Sequence, residues 1–180
     1  MIGEEGYRAL ERGDLITAFN EFSAAEKRTN DPIERSMMMI NQGALLIAMG
    51  KYALAVEKLI MAKALLKQNP AERKLLAVAC LNLSKAMIYA GKVRDARTEA
   101  DCAASFLGNE DPHLLYVRAL IKFYENDKAG LLEIKTEGLP EPYRKLILVL
   151  QLKINSDKRY TDVLKELIPS SQVRDALGLV

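Results

Sequence analysis

Four small residues separated by seven, five and seven positions recur three times along this chain. They are Gly6, Gly13, Ala18 and Ala25, then Gly43, Gly50, Ala55 and Ala62, then Ser84, Gly91, Ala96 and Ala103. Two positions after each turn glycine stands an apolar residue: Leu15, Tyr52 or Val93. Antiparallel helices approach closely only where each offers a small side chain at the crossing, and a third small residue admits the next pair. The spacing therefore predicts stacked helix pairs.

The third unit, residues 69–107, shows the reading in most detail. Asn69 caps a helix whose first residue is Pro70, where a missing N–H is harmless, and Glu72 places negative charge at the positive end of the dipole. Leu76, Ala79, Cys80, Leu83, Ala86, Met87 and Ala90 follow at three- and four-residue steps. Leu75, Val78 and Leu81 widen that stripe to well over half the circumference, so the helix packs on more than one side. Gly91 ends it as a left-handed cap. Val93, Ala96, Ala100, Ala103 and Leu107 line one face of the second helix, which the short connection forces antiparallel to the first.

These positions resemble the tetratricopeptide repeat (TPR) family, with its succession of small residue, turn, alanine and alanine, over residues 1 to about 107. The family's larger positions are matched loosely: its early aromatic is Ile2, Met39 or Cys80 here, and its late aromatic is Phe22, Leu59 or Ala100. Units begin 37 and then 41 residues apart, judged from Gly6, Gly43 and Ser84, against roughly 34 for the standard repeat. The resemblance is thus to an extended-helix variant, with the additional length at the front of the first helices. It implies an all-α, right-handed superhelix of antiparallel helix pairs, in units of about 1–30, 31–68 and 69–108. A degenerate unit follows at 111–138 and C-terminal capping helices at 141–180. It also implies that first helices line a concave groove, which selects Tyr7, Asn41, Asn82, Lys85, Tyr89, His113, Tyr116 and Phe123 as partner-binding candidates. Chaperone-adaptor members of the family grip a C-terminal carboxylate with five residues, whose matching positions here are Gly3, Tyr7, Asn41, Val78 and Asn82. Only Asn41 agrees, so a clamp of that type is not expected.

At the start of the chain, residues 1–11 read as a short uncapped helix with a wet face. The absence of a basic leader ahead of an apolar core argues against a secretory signal. Met37, Met38 and Met39 stand in a row that no single helix face buries, so at least one should reach a groove or the surface. Beyond Leu107, Asp111 caps and Pro112 opens a helix through Tyr124, and Asn126 stands where the turn glycine belongs. Ala119, Asn126, Leu131 and Gly138 keep the frame with two substitutions. The LILVL run at 146–150 reads as helix rather than strand, because the surrounding period is helical. It is too short and too interrupted to span a bilayer. Residues 160–168 and 172–177 read as two further helices, which either close the stack or fold back over it.

Mixed charge, 26 Lys and Arg against 24 Asp and Glu, gives no basic field of the kind that drives nucleic-acid binding. Two cysteines without close spacing give neither a zinc site nor a disulfide framework, and both are expected as reduced thiols in the cytoplasm. His113 is the only histidine, and no glycine-rich phosphate loop or nucleophile motif accompanies it. The expectation is a non-enzymatic scaffold that needs no metal or cofactor and binds a protein or peptide in its groove. A second reading is a homodimeric assembly subunit that self-associates through the apolar C-terminal helices.

Overall fold

A computed structural model describes residues 3–69 and 71–169. Among the described residues the chain is all helix, without a strand: α1 (Glu4–Glu11), α2 (Leu15–Arg28), α3 (Pro32–Ala48), α4 (Tyr52–Lys67), α5 (Arg73–Tyr89), α6 (Val93–Leu107), α7 (Pro112–Tyr124), α8 (Lys128–Leu132), α9 (Glu141–Ile154) and α10 (Tyr160–Leu167). LILVL lies inside α9, as its helical setting implies.

The turns carry the repeat. Gly13, Gly50 and Gly91 have φ of 74°, 72° and 78°, and Asn126 takes the same left-handed conformation at 58°. Each turn places an amide on a carbonyl five residues back: Asp14 on Ala9, Lys51 on Leu46, Lys92 on Met87 and Asp127 on Lys122, at 2.8–3.0 Å. This arrangement satisfies carbonyls that the helix end leaves free. Ser156, with φ 56°, makes the same turn at the end of α9, and Asp157 donates to Leu152 at 2.9 Å. The α9–α10 pair thus repeats the helix–turn–helix form, which the sequence concealed by replacing glycine with serine. Aspartates cap α2, α3, α7 and α8. Asp14, Asp31, Asp111 and Asp127 accept from the amides of Thr17, Ile33, Leu114 and Gly130. Caps of this kind contribute about 1 kcal/mol each.

Small residues sit at the crossings. A Cβ on Gly43 would stand 2.5 Å from Leu59 Cγ, and one on Gly6 would stand 2.7 Å from Phe22 Cε1. In the third unit Ser84 Oγ donates to the Ala96 carbonyl at 2.7 Å across the α5–α6 crossing. Ala18, Ala25, Ala55, Ala62, Ala96 and Ala103 are all fully buried.

Each helix packs on its sequence neighbour from α1 to α7, and α3, α5, α7 and α9 also pack side by side as an inner layer. The outer helices are joined by ion pairs, Lys58 with Glu26 between α4 and α2, and Lys63 with Glu99 between α4 and α6. The core runs along the stack, and α5 contributes to two successive stretches of it through Leu76, Met87 and Tyr89.

Two expectations are corrected, and a third lies outside the described residues. Asn69 does not cap α5: that helix begins at Arg73, Glu72 precedes it without a side-chain cap, and Asn69 Nδ2 instead donates to the Leu65 carbonyl at 3.0 Å. Gly138 is not at a helix crossing. It lies with φ 80° in the turn before α9, beyond α8, which ends at Leu132. The helix expected at 172–177 falls outside the described residues, as do Ile2 and Pro70. The methionine run behaves as its spacing implies, with Met37 39% exposed and Met38 and Met39 buried.

Candidate functional site

The inner layer exposes a groove of about 320 Å³. Ala44, Ile47 and Ala48 of α3 form one wall, Leu146 of α9 forms the other, and Lys85, Tyr89 and Tyr116 lie between them. Leu167 and Ile168, at the C-terminal end of α10, line the same groove. Helical spacing explains the placement on α5: Asn82, Lys85 and Tyr89 occupy positions i, i+3 and i+7 on one face.

Polar groups here are crowded by apolar side chains: Lys85, Tyr89 and His113 are partly buried, Asn82 and Tyr116 are buried, and the Tyr89 and Tyr116 hydroxyls lie beside each other. Lys85 forms no ion pair or hydrogen bond with any described residue, and its removal from water pulls its pKa down to about 8. It still carries its charge in roughly nine molecules of ten at pH 7. Burial, with the Lys85 charge adding to it, pulls His113 down to about 3, so the imidazole is neutral. Its ring lies tilted against Tyr143, with centroids 5.8 Å apart. The Tyr89 hydroxyl is buried without a hydrogen-bond partner among the described residues. Burial, reinforced by the adjacent Tyr116 hydroxyl, pushes Tyr89 well above the ordinary phenol range, and burial takes Tyr116 to about 12. Both phenols therefore remain donors at neutral pH. Asn82 is 94% buried, by its 6% exposure, and it too has no side-chain hydrogen bond to a described residue.

No family model, curated protein or solved structure gives a significant match to this chain. The site therefore rests on its own geometry.

Of the residues selected from the sequence, Lys85, Tyr89 and Tyr116 share the groove, and His113 is close enough to feel the Lys85 charge. Tyr7 and Asn41 meet elsewhere, at the first units, where Asn41 Nδ2 donates to Tyr7 Oη at 2.8 Å. The Tyr7 ring stands edge-on to Phe22 at 5.0 Å, so its role there includes packing. Phe123 packs against the core and lies edge-on to Tyr124 at 5.5 Å rather than lining the groove. Sequence reasoning did not select the apolar lining from α9 and α10, because a run such as LILVL shows apolar character without showing which residue faces a recess. It also passed over Tyr52 and Tyr124, whose rings flank Tyr89 at 5.5 and 5.9 Å.

An apolar recess holding one ammonium and two phenol donors, with no acidic side chain among its lining residues, has a definite chemistry. It lacks an anion. A carboxylate brought there would meet a cation at low local dielectric and phenol hydroxyls able to donate to it. The energetic cost already present in a desolvated, unpaired lysine is the cost that such a ligand would offset.

Proposed function

We propose that this chain is a TPR-like helical-repeat scaffold that receives an acidic segment of a partner protein in its inner groove. In this reading the helix pairs wind as a right-handed superhelix, Lys85 pairs with a partner carboxylate, and Tyr89 and Tyr116 donate to it. Ile47 and Leu146 take the apolar residues beside that carboxylate. The observation that carries the proposal is Lys85, a partly exposed cation among apolar lining residues with no acid to neutralise it among the described residues. Support for the repeat architecture comes from the recurring left-handed turns and from the small residues at successive crossings. No helix among the described residues is long and apolar enough to cross a membrane.

Selection from a random peptide library, followed by titration of the enriched peptides, tests this. The expected peptides carry Asp, Glu or a free C-terminal carboxylate, and they bind a Lys85→Met variant about tenfold or more weakly. Tyr7→Phe, remote from the groove, leaves their affinity unchanged. Peptides without acidic preference, or equal affinity for Lys85→Met, would overturn the assignment. The homodimer reading has less to draw on: Ile147, Val149 and Leu150 are buried in the chain's own core, and of the LILVL run only Leu148 is more than a third exposed.

A further inference from the structure

The two cysteines of the chain, 22 positions apart, meet. Cys80 on α5 and Cys102 on α6 bring their sulfurs to 3.2 Å, and both are free thiols. Cys80 is fully buried, whereas Cys102 is partly open to solvent. Beside them the Lys63–Glu99 ion pair joins α4 to α6, and a Glu99 oxygen and both sulfurs all lie within 4.8 Å of one another. Burial and the hydrogen bond to Cys102 push the Cys80 thiol up, while the Lys63 charge works in the opposite direction. An inaccessible thiol therefore touches a reachable one.

Packing alone asks for no thiol at either place: the positions equivalent to Cys80 in the other units are Ile2 and Met39, and those equivalent to Cys102 are Ala24 and Met61. Closing the sulfurs from 3.2 Å to the disulfide length of about 2.05 Å asks for an approach of about 1 Å. A metal ion is the less suitable occupant. The Glu99 carboxylate is already paired with Lys63, and that ammonium would repel a dication placed between the sulfurs.

We propose that Cys80 and Cys102 form a site of reversible oxidation by a hydroperoxide, yielding an intrachain disulfide that ties α5 to α6. Cys102, the reachable thiol, loses its proton to solvent and its thiolate attacks the peroxide. An S–O bond forms, the O–O bond breaks, and the departing oxygen takes up a proton as water or an alcohol. Sulfur is oxidised by two electrons and the peroxide is reduced by the same two. Cys80 then attacks the Cys102 sulfenic acid, so that the S–S bond forms, the S–O bond breaks, and the Cys80 proton leaves with the hydroxide as water. Two thiols and one hydroperoxide thus become one disulfide, one water and one further water or alcohol. A small dithiol reverses the change by exchange.

The test uses the reduced, metal-free full chain and one equivalent of hydrogen peroxide. Expected are the loss of two hydrogens in intact mass, a peptide pair linked through 80 and 102 in a non-reducing digest, and full return on adding dithiothreitol. Tm should rise by about 5–10 °C on oxidation, a shift absent from Cys102→Ser. In Cys80→Ser, Cys102 should instead be trapped by dimedone as the sulfenic acid. Sulfinic acid on Cys102 of the parent chain with Cys80 untouched, disulfide-linked dimers in place of the intrachain link, or two unreactive thiols would each overturn the proposal. So would one zinc ion per chain that resists a chelator and blocks oxidation.

Discussion

Gly43→Ala sets two well-characterised effects against each other at one position. Gly43 lies inside α3, a 17-residue helix, where alanine is favoured over glycine by about 1 kcal/mol on helix propensity alone. The added methyl, however, would stand 2.5 Å from Leu59 Cγ and 2.6 Å from Cδ2. Leu59 is fully buried, and Cγ is a branch point close to its backbone, so it cannot swing clear as the end of a lysine could. Relieving the contact requires α3 and α4 to separate or Leu59 to leave its rotamer, at about 1–3 kcal/mol for overpacking of this kind. Steric cost should prevail, leaving Gly43→Ala destabilised by about 1 kcal/mol. That corresponds to a fall of about 2–4 °C in Tm for a chain of this size. Urea denaturation followed by circular dichroism measures it. A double-mutant cycle with Leu59→Ala locates the cause, because the methyl should be tolerated, or should stabilise, once Leu59 is truncated. A Gly43→Ala protein more stable than the parent by the full propensity difference would refute the close crossing.

Lys85→Met should raise stability near neutral pH while weakening peptide binding, because it removes a desolvated, unpaired ammonium. The folded-state pKa lies below the ordinary lysine value, so the unfolded chain binds the additional proton between about pH 8 and 10.5, and the parent's deficit should shrink across that interval in chemical denaturation. His113, lowered from 6.5 to about 3, makes the fold lose stability as pH drops through that window. The difference between parent and His113→Phe should therefore move by about 1–2 kcal/mol between pH 7 and 5, in the direction that weakens the parent. Asn126→Gly should stabilise by about 0.5 kcal/mol in thermal melts, since φ is 58° there, whereas Gly91→Ala at φ 78° should cost about 1–2 kcal/mol despite open space around it.

Legibility from the sequence followed the range of the interaction. Turn positions could be read because Gly13, Gly50, Gly91 and Asn126 answer to a local requirement for positive φ, and crossings could be read because a small residue is needed on each side. Ser156 was missed for the same reason: its turn matches the others, but its residue type carries little of the left-handed preference that glycine announces. Asn69 and Pro70 carried a sound local start signal, yet Glu72 donates to the Asn69 carbonyl in a turn before the helix begins at Arg73. The groove was half legible. Lys85, Tyr89 and Tyr116 follow from position on the first helices, but the presence of Leu167 and Ile168 beside them depends on how the last pair stacks. The contact between Cys80 and Cys102 depends on the relative rotation of α5 and α6, which residue spacing alone does not state.

The most direct test of the groove is the titration of Lys85 itself, followed by NMR of the side-chain nitrogen in the free protein and with a selected acidic peptide bound. A free value near 8 that rises on binding, as the peptide carboxylate supplies the missing countercharge, is the expected result. An ordinary lysine value in the free protein, unmoved by the peptide, would show a solvated ammonium and leave the proposed binding site without its anchor.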